Sequence, residues 1–187
     1  MPIYQRSEPD GPLRQGEITT GLRRVVLILE ALAGGALSVD LETFPYAVLI
    51  NQDCDLAQDH GTRARGGGAT GLPNLLFLLA VPIDQFHEAL PPGSDIWKRI
   101  IQNKDERYHV LERIPTDCDA LGEGLPALGL DFKQCITLRT DEVLFRYKER
   151  SAQRRSRLTT PWAEHLSSRF AYYYSRVALP QDHDLTS

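Results

Sequence analysis

The chain has 187 residues, of which 42% are hydrophobic and 25% charged, values close to the globular average that exclude global disorder. Its formal charge of −4 excludes whole-molecule attraction to nucleic acid or anionic lipid, so such a partner would need a local basic patch. One domain spanning 1–187 is expected at this length.

Residues 1–12 hold three prolines and a glycine and read as an irregular leader. A β core is predicted over 13–147. Within it, 15–22 is a glycine-flanked run rich in Ile and Thr, 25–29 is strongly apolar, and 36–42 alternates apolar with polar residues. These form strands, the last two a hairpin turning at Gly34-Gly35. After Pro45, which cannot donate to a ladder, Tyr46 to Ile50 is a strand buried on both faces that ends abruptly at Asn51-Gln-Asp-Cys-Asp55. The glycine-rich stretch 60–71 has no apolar period and is predicted to be a mobile loop.

Asn74 to Val81 is a second doubly buried strand. A helix near 94–104 follows from Ser94 as N-cap and from Ile96, Trp97, Ile100 and Ile101 at helical spacing. The patterns of 107–114, 128–138 and 142–147 predict three more strands, with a turn-rich excursion between the first two. Arginines crowd 148–158, which reads as a basic linker. A C-terminal helix over 160–177 follows from Thr160 as N-cap, Pro161 at the first helical position and the stripe Trp162, Leu166, Phe170, Tyr173 and Val177. The fold class is therefore mostly β within α+β: a small bent antiparallel sheet or SH3-like barrel with an inserted helix and an amphipathic C-terminal helix.

Cys54, Cys118 and Cys135 lack CxxC spacing, which argues against a disulfide framework or zinc knuckle and for a reducing cytoplasm. The first ten residues show no basic start and apolar run, and no apolar stretch is long enough to span a bilayer, so a soluble protein is expected. His60, His87 and His165 have no HxxxH-type spacing, so no metal site is predicted, and the sequence names no cofactor.

Three clusters could carry chemistry. At the end of the Tyr46 strand, Asp53 and Asp55 share a face if the strand continues, and the pair could then hold a divalent cation or split its pKa values for acid–base work. If Asp55 instead caps a helix, with Gln58 three residues on, the pair dissolves. His109, in an alternating strand, is the candidate base for that site, so Asp53, Asp55 and His109 are the catalytic candidates. For nucleic acid the candidates are Arg63 and Arg65 beside the glycine loop, with Arg150, Arg154, Arg155 and Arg157 in the basic segment.

Gly16-Glu17-Ile18, followed later by Val-Leu-Ile-Asn-Gln-Asp at a strand end, resembles endoribonuclease toxins of the MazF/PemK type over the first third of the chain. The resemblance implies an SH3-like barrel and ribonuclease activity. That family carries an arginine just before the buried strand. Here Phe44-Pro45-Tyr46 holds that place, leaving Arg23 or Arg24 to take its part. Three functions are thus expected in turn: a cytosolic barrel-like module binding RNA, DNA or a protein partner; a metal-dependent or MazF-like nuclease; and a structural subunit docking through its 162–177 helix on a partner or a second copy.

Overall fold

The computed structural model describes residues 2–29, 37–66, 71–89 and 94–175. In chain order the elements are β1 (Tyr4–Arg6), β2 (Glu17–Thr20), β3 (Leu22–Leu29), β4 (Leu37–Phe44), β5 (Tyr46–Leu49), α1 (Asp53–Ala64), β6 (Asn74–Pro82), α2 (Ile83–Glu88), α3 (Ser94–Ile101), β7 (Tyr108–Leu111), β8 (Leu128–Arg139), α4 (Thr140–Lys148), β9 (Gln153–Leu158) and α5 (Trp162–Ser175). Seven strands form one antiparallel sheet in the order β1-β9-β2-β5-β6-β8-β7, and β3 and β4 pair separately. The sheet curls into a half-barrel, the α+β and mostly β class expected. No helix among the described residues is long and apolar enough to cross a membrane. The Gly34-Gly35 turn, most of the glycine run and Val177 lie outside the described residues.

β5 is the axis of this arrangement. Its residues alternate between two cores: Val48 and the following Ile50 enter one with Leu78, Phe132 and Leu166, while Ala47 and Leu49 enter the other with Leu56, Phe77 and Val143. A strand must be apolar at every position to feed two cores, which is why this segment reads as a continuous hydrophobic run. α5 covers the first face. α1 and α4 cover the second. The open side of the curl is bridged where the Tyr4 hydroxyl donates to the Glu112 carbonyl at 2.8 Å.

Curvature is built in by register shifts. Leu78 faces Cys135 and Ala80 faces Leu130, so β8 bends away from β6 around 131–134. A second close fit lies nearby, since a Cβ added to Gly129 would sit 2.2 Å from the Phe86 ring of α2. Only glycine leaves room for that ring. Gly21, at φ +77°, turns the chain from the sheet into the β3–β4 hairpin. The hairpin carries Val25 (53% exposed), Val39 (63%) and Leu41 (53%) on one face, with Arg24 and Glu42 paired at 2.6 Å on the other.

Four expectations are corrected. The leader contributes an edge strand, because Tyr4, Gln5 and Arg6 pair with β9. The stretch 142–147 is helix rather than strand: Val143, Leu144 and Tyr147 face the second core with helical spacing, and Glu142 pairs with Arg146 one turn on at 2.6 Å. The basic linker is a tight turn and the strand β9, which lies inside the sheet between β1 and β2. The helix expected from Asp55 begins at Asp53 and runs to Ala64, across the first part of the predicted loop, held by the buried Leu56 and the Asp59–Arg63 pair at 2.6 Å.

Gly129→Ala should destabilise the fold by about 1–3 kcal/mol through overpacking. The double variant Gly129→Ala/Phe86→Leu should recover part of that loss in chemical denaturation. Equal stability of Gly129→Ala and the parent would contradict the contact.

Candidate functional site

β9 pairs Arg154 with Thr19 and Ser156 with Ile18, leaving Arg155 at a register shift between them, and each arginine meets a carboxylate from far away in the chain. Both are 7% exposed. Arg154 Nε donates to Glu17 Oε1 at 2.7 Å and Nη2 to Glu17 Oε2 at 2.8 Å. Its remaining N–H groups reach the carbonyls of Pro9 (3.2 Å), Gly11 (2.6 Å) and Pro12 (2.8 Å). All five donors are spent, and the leader is strapped down by them. Arg155 holds Asp119 in a fork, 2.7 Å to each oxygen, and reaches Glu123 at 2.9 Å. Burial works to raise the Asp119 carboxyl, but Arg155 and the backbone amides of Leu121 and Glu123 outweigh it and hold the group below its ordinary range.

The six arginines singled out for nucleic acid therefore divide. Arg154 and Arg155 are structural, and their donors do not face a polyanion. Arg63 is shared between Asp59 (2.6 Å) and Asp141 (2.5 Å), and Arg157 lies 3.9 Å from Glu8. Arg65 and Arg150 are exposed with no ion pair among the described residues.

The catalytic candidates do not converge. Asp53 opens α1 and accepts from Arg14 Nε (3.1 Å), Arg14 Nη2 (2.7 Å) and the Gln15 amide (2.7 Å). Burial would raise its carboxyl, yet the Arg14 and Gln15 bonds leave it lowered. Asp55 is exposed on the same first turn, about 200° around the helix from Asp53. The shared face required a strand through Cys54, and the helix removes it. Among the described residues the exposed Cys54 thiol reaches Gln52 (3.6 Å) and Asp55 (3.7 Å).

His109 sits in β7, bonded neither to Asp53 nor to Asp55. Arg169 Nη1 of α5 donates to its Nδ1 at 2.5 Å, and the His165 ring lies 5.9 Å away between centroids. Burial first, then the charges of Arg169 and His165, pull His109 down to about 3. It is a neutral imidazole at physiological pH. Spacing could have signalled this partner, since His165 and Arg169 are one helical turn apart. Nothing in the sequence marks Glu17 or Asp119 as the partners of Arg154 and Arg155.

Among the described residues two recesses bear on function. The larger, about 720 Å³, lies between the 9–11 strap, His60 of α1, Leu121 and the end of α4 with its following turn. Lys148 and Arg150 are exposed on its rim, and Leu144 and the Tyr147 ring line it. The Tyr147 hydroxyl is buried, and its pKa is raised by that burial first and then by the Glu17 charge. The smaller recess, about 190 Å³, is lined by His109 and His165. No family model, curated protein or solved structure matches this chain.

Asp119→Ala leaves the Arg155 guanidinium buried without its main partner and should cost about 3–5 kcal/mol of unfolding free energy. The rim variant Lys148→Ala should change it by no more than about 0.5 kcal/mol. Comparable losses would refute the division between structural and free cations.

His109 also sets a pH dependence. The unfolded chain takes up a proton at this residue near pH 6.5, the folded chain only near 3, so its contribution to stability is complete above 6.5 and is lost as pH falls toward 3. Between those limits stability should fall by up to about 1.4 kcal/mol per pH unit from this residue. His109→Gln should flatten the slope in urea titrations at stepped pH, and an unchanged slope would contradict the buried neutral state.

Proposed function

We propose that the chain is a binding module that takes a single-stranded nucleic acid in the 720 Å³ cleft. The observation that carries this reading is the coincidence of that volume with two cationic side chains, Lys148 and Arg150, on a chain whose net charge is −4. Arg63, Arg154 and Arg155 are matched by carboxylates, so the charge the cleft offers a ligand is that of Lys148 and Arg150 set against the single carboxylate of Asp10. Lys148 and Arg150 contact phosphates and release their counterions. The walls formed by Leu121, Leu144 and the Tyr147 ring favour a strand whose bases are free to leave the stack over a closed duplex. Catalysis by Asp53, Asp55 and His109 is not part of this proposal, because no contact joins them.

Fluorescence anisotropy with labelled oligo-U, oligo-dT and a duplex tests the reading. Affinity for the single strands should exceed that for the duplex and fall steeply between about 50 and 200 mM salt. Lys148→Glu/Arg150→Glu should weaken binding at least about tenfold and reduce the salt slope by about 0.7 for each phosphate that is no longer neutralised. Affinity independent of salt, or equal in the double variant, would sink the proposal.

A further inference from the structure

The smaller recess lies on the α5 side of the sheet, between β7, the start of β1 and the first turns of α5. Its inner wall is His109, which is 4% exposed, with Leu111 and Leu158 beside it. Arg169 is a donor at every nitrogen. Because it donates to His109 Nδ1, the lone pair there is occupied and the ring proton resides on Nε2. That N–H has no acceptor among the described residues, although the ring opens on the recess. A ligand acceptor entering the recess meets that N–H in place of water.

The surrounding groups restrict the ligand. Arg169 spends its other Nη hydrogens on the carbonyls of Asp105 and Tyr108 and on Asn103 Oδ1, so much of its charge is already solvated by the protein. The Glu112 carboxylate on the wall disfavours an anion. Among the described residues no group of three metal-ligating side chains is assembled. Trp162 and His165, three residues apart on α5, present two aromatic rings at the mouth. An apolar cavity of about 150 Å³ takes a benzene molecule, so 190 Å³ holds one six-membered ring with small substituents.

We infer that this recess binds a single-ring heteroaromatic molecule of the pyrimidine-base type. Its carbonyl or ring nitrogen accepts from His109 Nε2–H, a ring N–H or amino group donates to Glu112, and its plane rests against Trp162. The neutral state of His109 keeps that donor in place across physiological pH, while protonation would put a second charge beside Arg169. The site is independent of the basic cleft.

The test is titration with free uracil and cytosine, benzene serving as the shape control. Binding is read from Trp162 fluorescence in a Trp97→Phe background and from the His109 ring nitrogens in ¹⁵N NMR. Saturable quenching by the bases is expected, with the Nε2 resonance moving and Nδ1 nearly still. His109→Phe should weaken base binding at least about tenfold while leaving benzene little affected, the mark of a missing hydrogen bond. Trp162→Ala, a change at the exposed rim, should weaken binding severalfold and keeps the test decisive if His109→Phe does not fold. Lys148→Glu/Arg150→Glu should bind the bases as the parent does, which separates this site from the cleft. No saturable signal, benzene binding as tightly as uracil, or an unmoved Nε2 resonance at saturation would overturn the inference.

Discussion

The fold depends on two ion pairs made by neighbouring residues of one strand. Arg154 and Arg155 adjoin at the register shift of β9, and each closes a long loop in sequence: 137 residues to Glu17 and 36 to Asp119. A buried charge without a partner is costly, whereas a buried pair is near neutral against an apolar alternative. The pairs therefore contribute to register more than to gross stability. With Glu17 and Asp119 in place, β9 fits between β1 and β2 in one alignment, and a one-residue slip that put one arginine in the other's place would leave one arginine and one carboxylate unmatched. The strap at 9–12 and the loop at 119–124 follow from the same pairs, because their carbonyls and amides complete the hydrogen bonding of Arg154 and Asp119.

This constraint explains where the sequence is legible. β5, β6, β8 and α5 are readable because their burial is written in local hydrophobic pattern: β5 feeds two cores and has no polar position, and α5 repeats Leu166, Phe170 and Tyr173 at helical spacing toward one core. β9 is unreadable for the opposite reason. Four of its six residues are Arg or Gln, a composition that reads as solvated, yet its burial is provided by carboxylates that no local rule connects to it. α4 fails differently. Val143, Phe145 and Tyr147 satisfy a period of two, but Phe145 is exposed while Val143, Leu144 and Tyr147 face the core, and the Asp141–Glu142 start with the Glu142–Arg146 pair is the better signal.

The candidate site shows the same split between residue and partner. His109 is identifiable as a polar residue in a strand, and the structure makes it a buried, neutral, oriented imidazole. The sequence pattern points to Asp53 as its partner, the conspicuous carboxylate at a strand end. Asp53 instead starts α1 and serves Arg14 and Gln15, because a helix N-terminus favours negative charge and the preceding Asn51 ends the strand by accepting from the Leu76 amide at 2.7 Å. Likewise Arg150 and Arg154, four residues apart in an apparently uniform basic run, have opposite fates. The first follows the end of α4 and faces a cleft, and the second lies within the sheet. Charge counting along the chain cannot separate them, since the deciding variable is the distance to a carboxylate.

The two recesses are linked through β9, whose first half borders the cleft at Gln153 and Arg154 and whose last residue, Leu158, borders the His109 recess. Four residues of strand separate those borders by about 13 Å. The ends are electrostatically different because the guanidinium groups between them are neutralised in place. A cation left unpaired at Arg154 or Arg155 would extend positive charge from the cleft across the sheet. Neutralising those groups leaves Lys148 and Arg150 as the cations of the cleft and the α5 side to hydrogen bonding and ring contact. One strand thus separates a recess with cations on its rim from one without them, and the buried pairs that fix its register also make that separation possible.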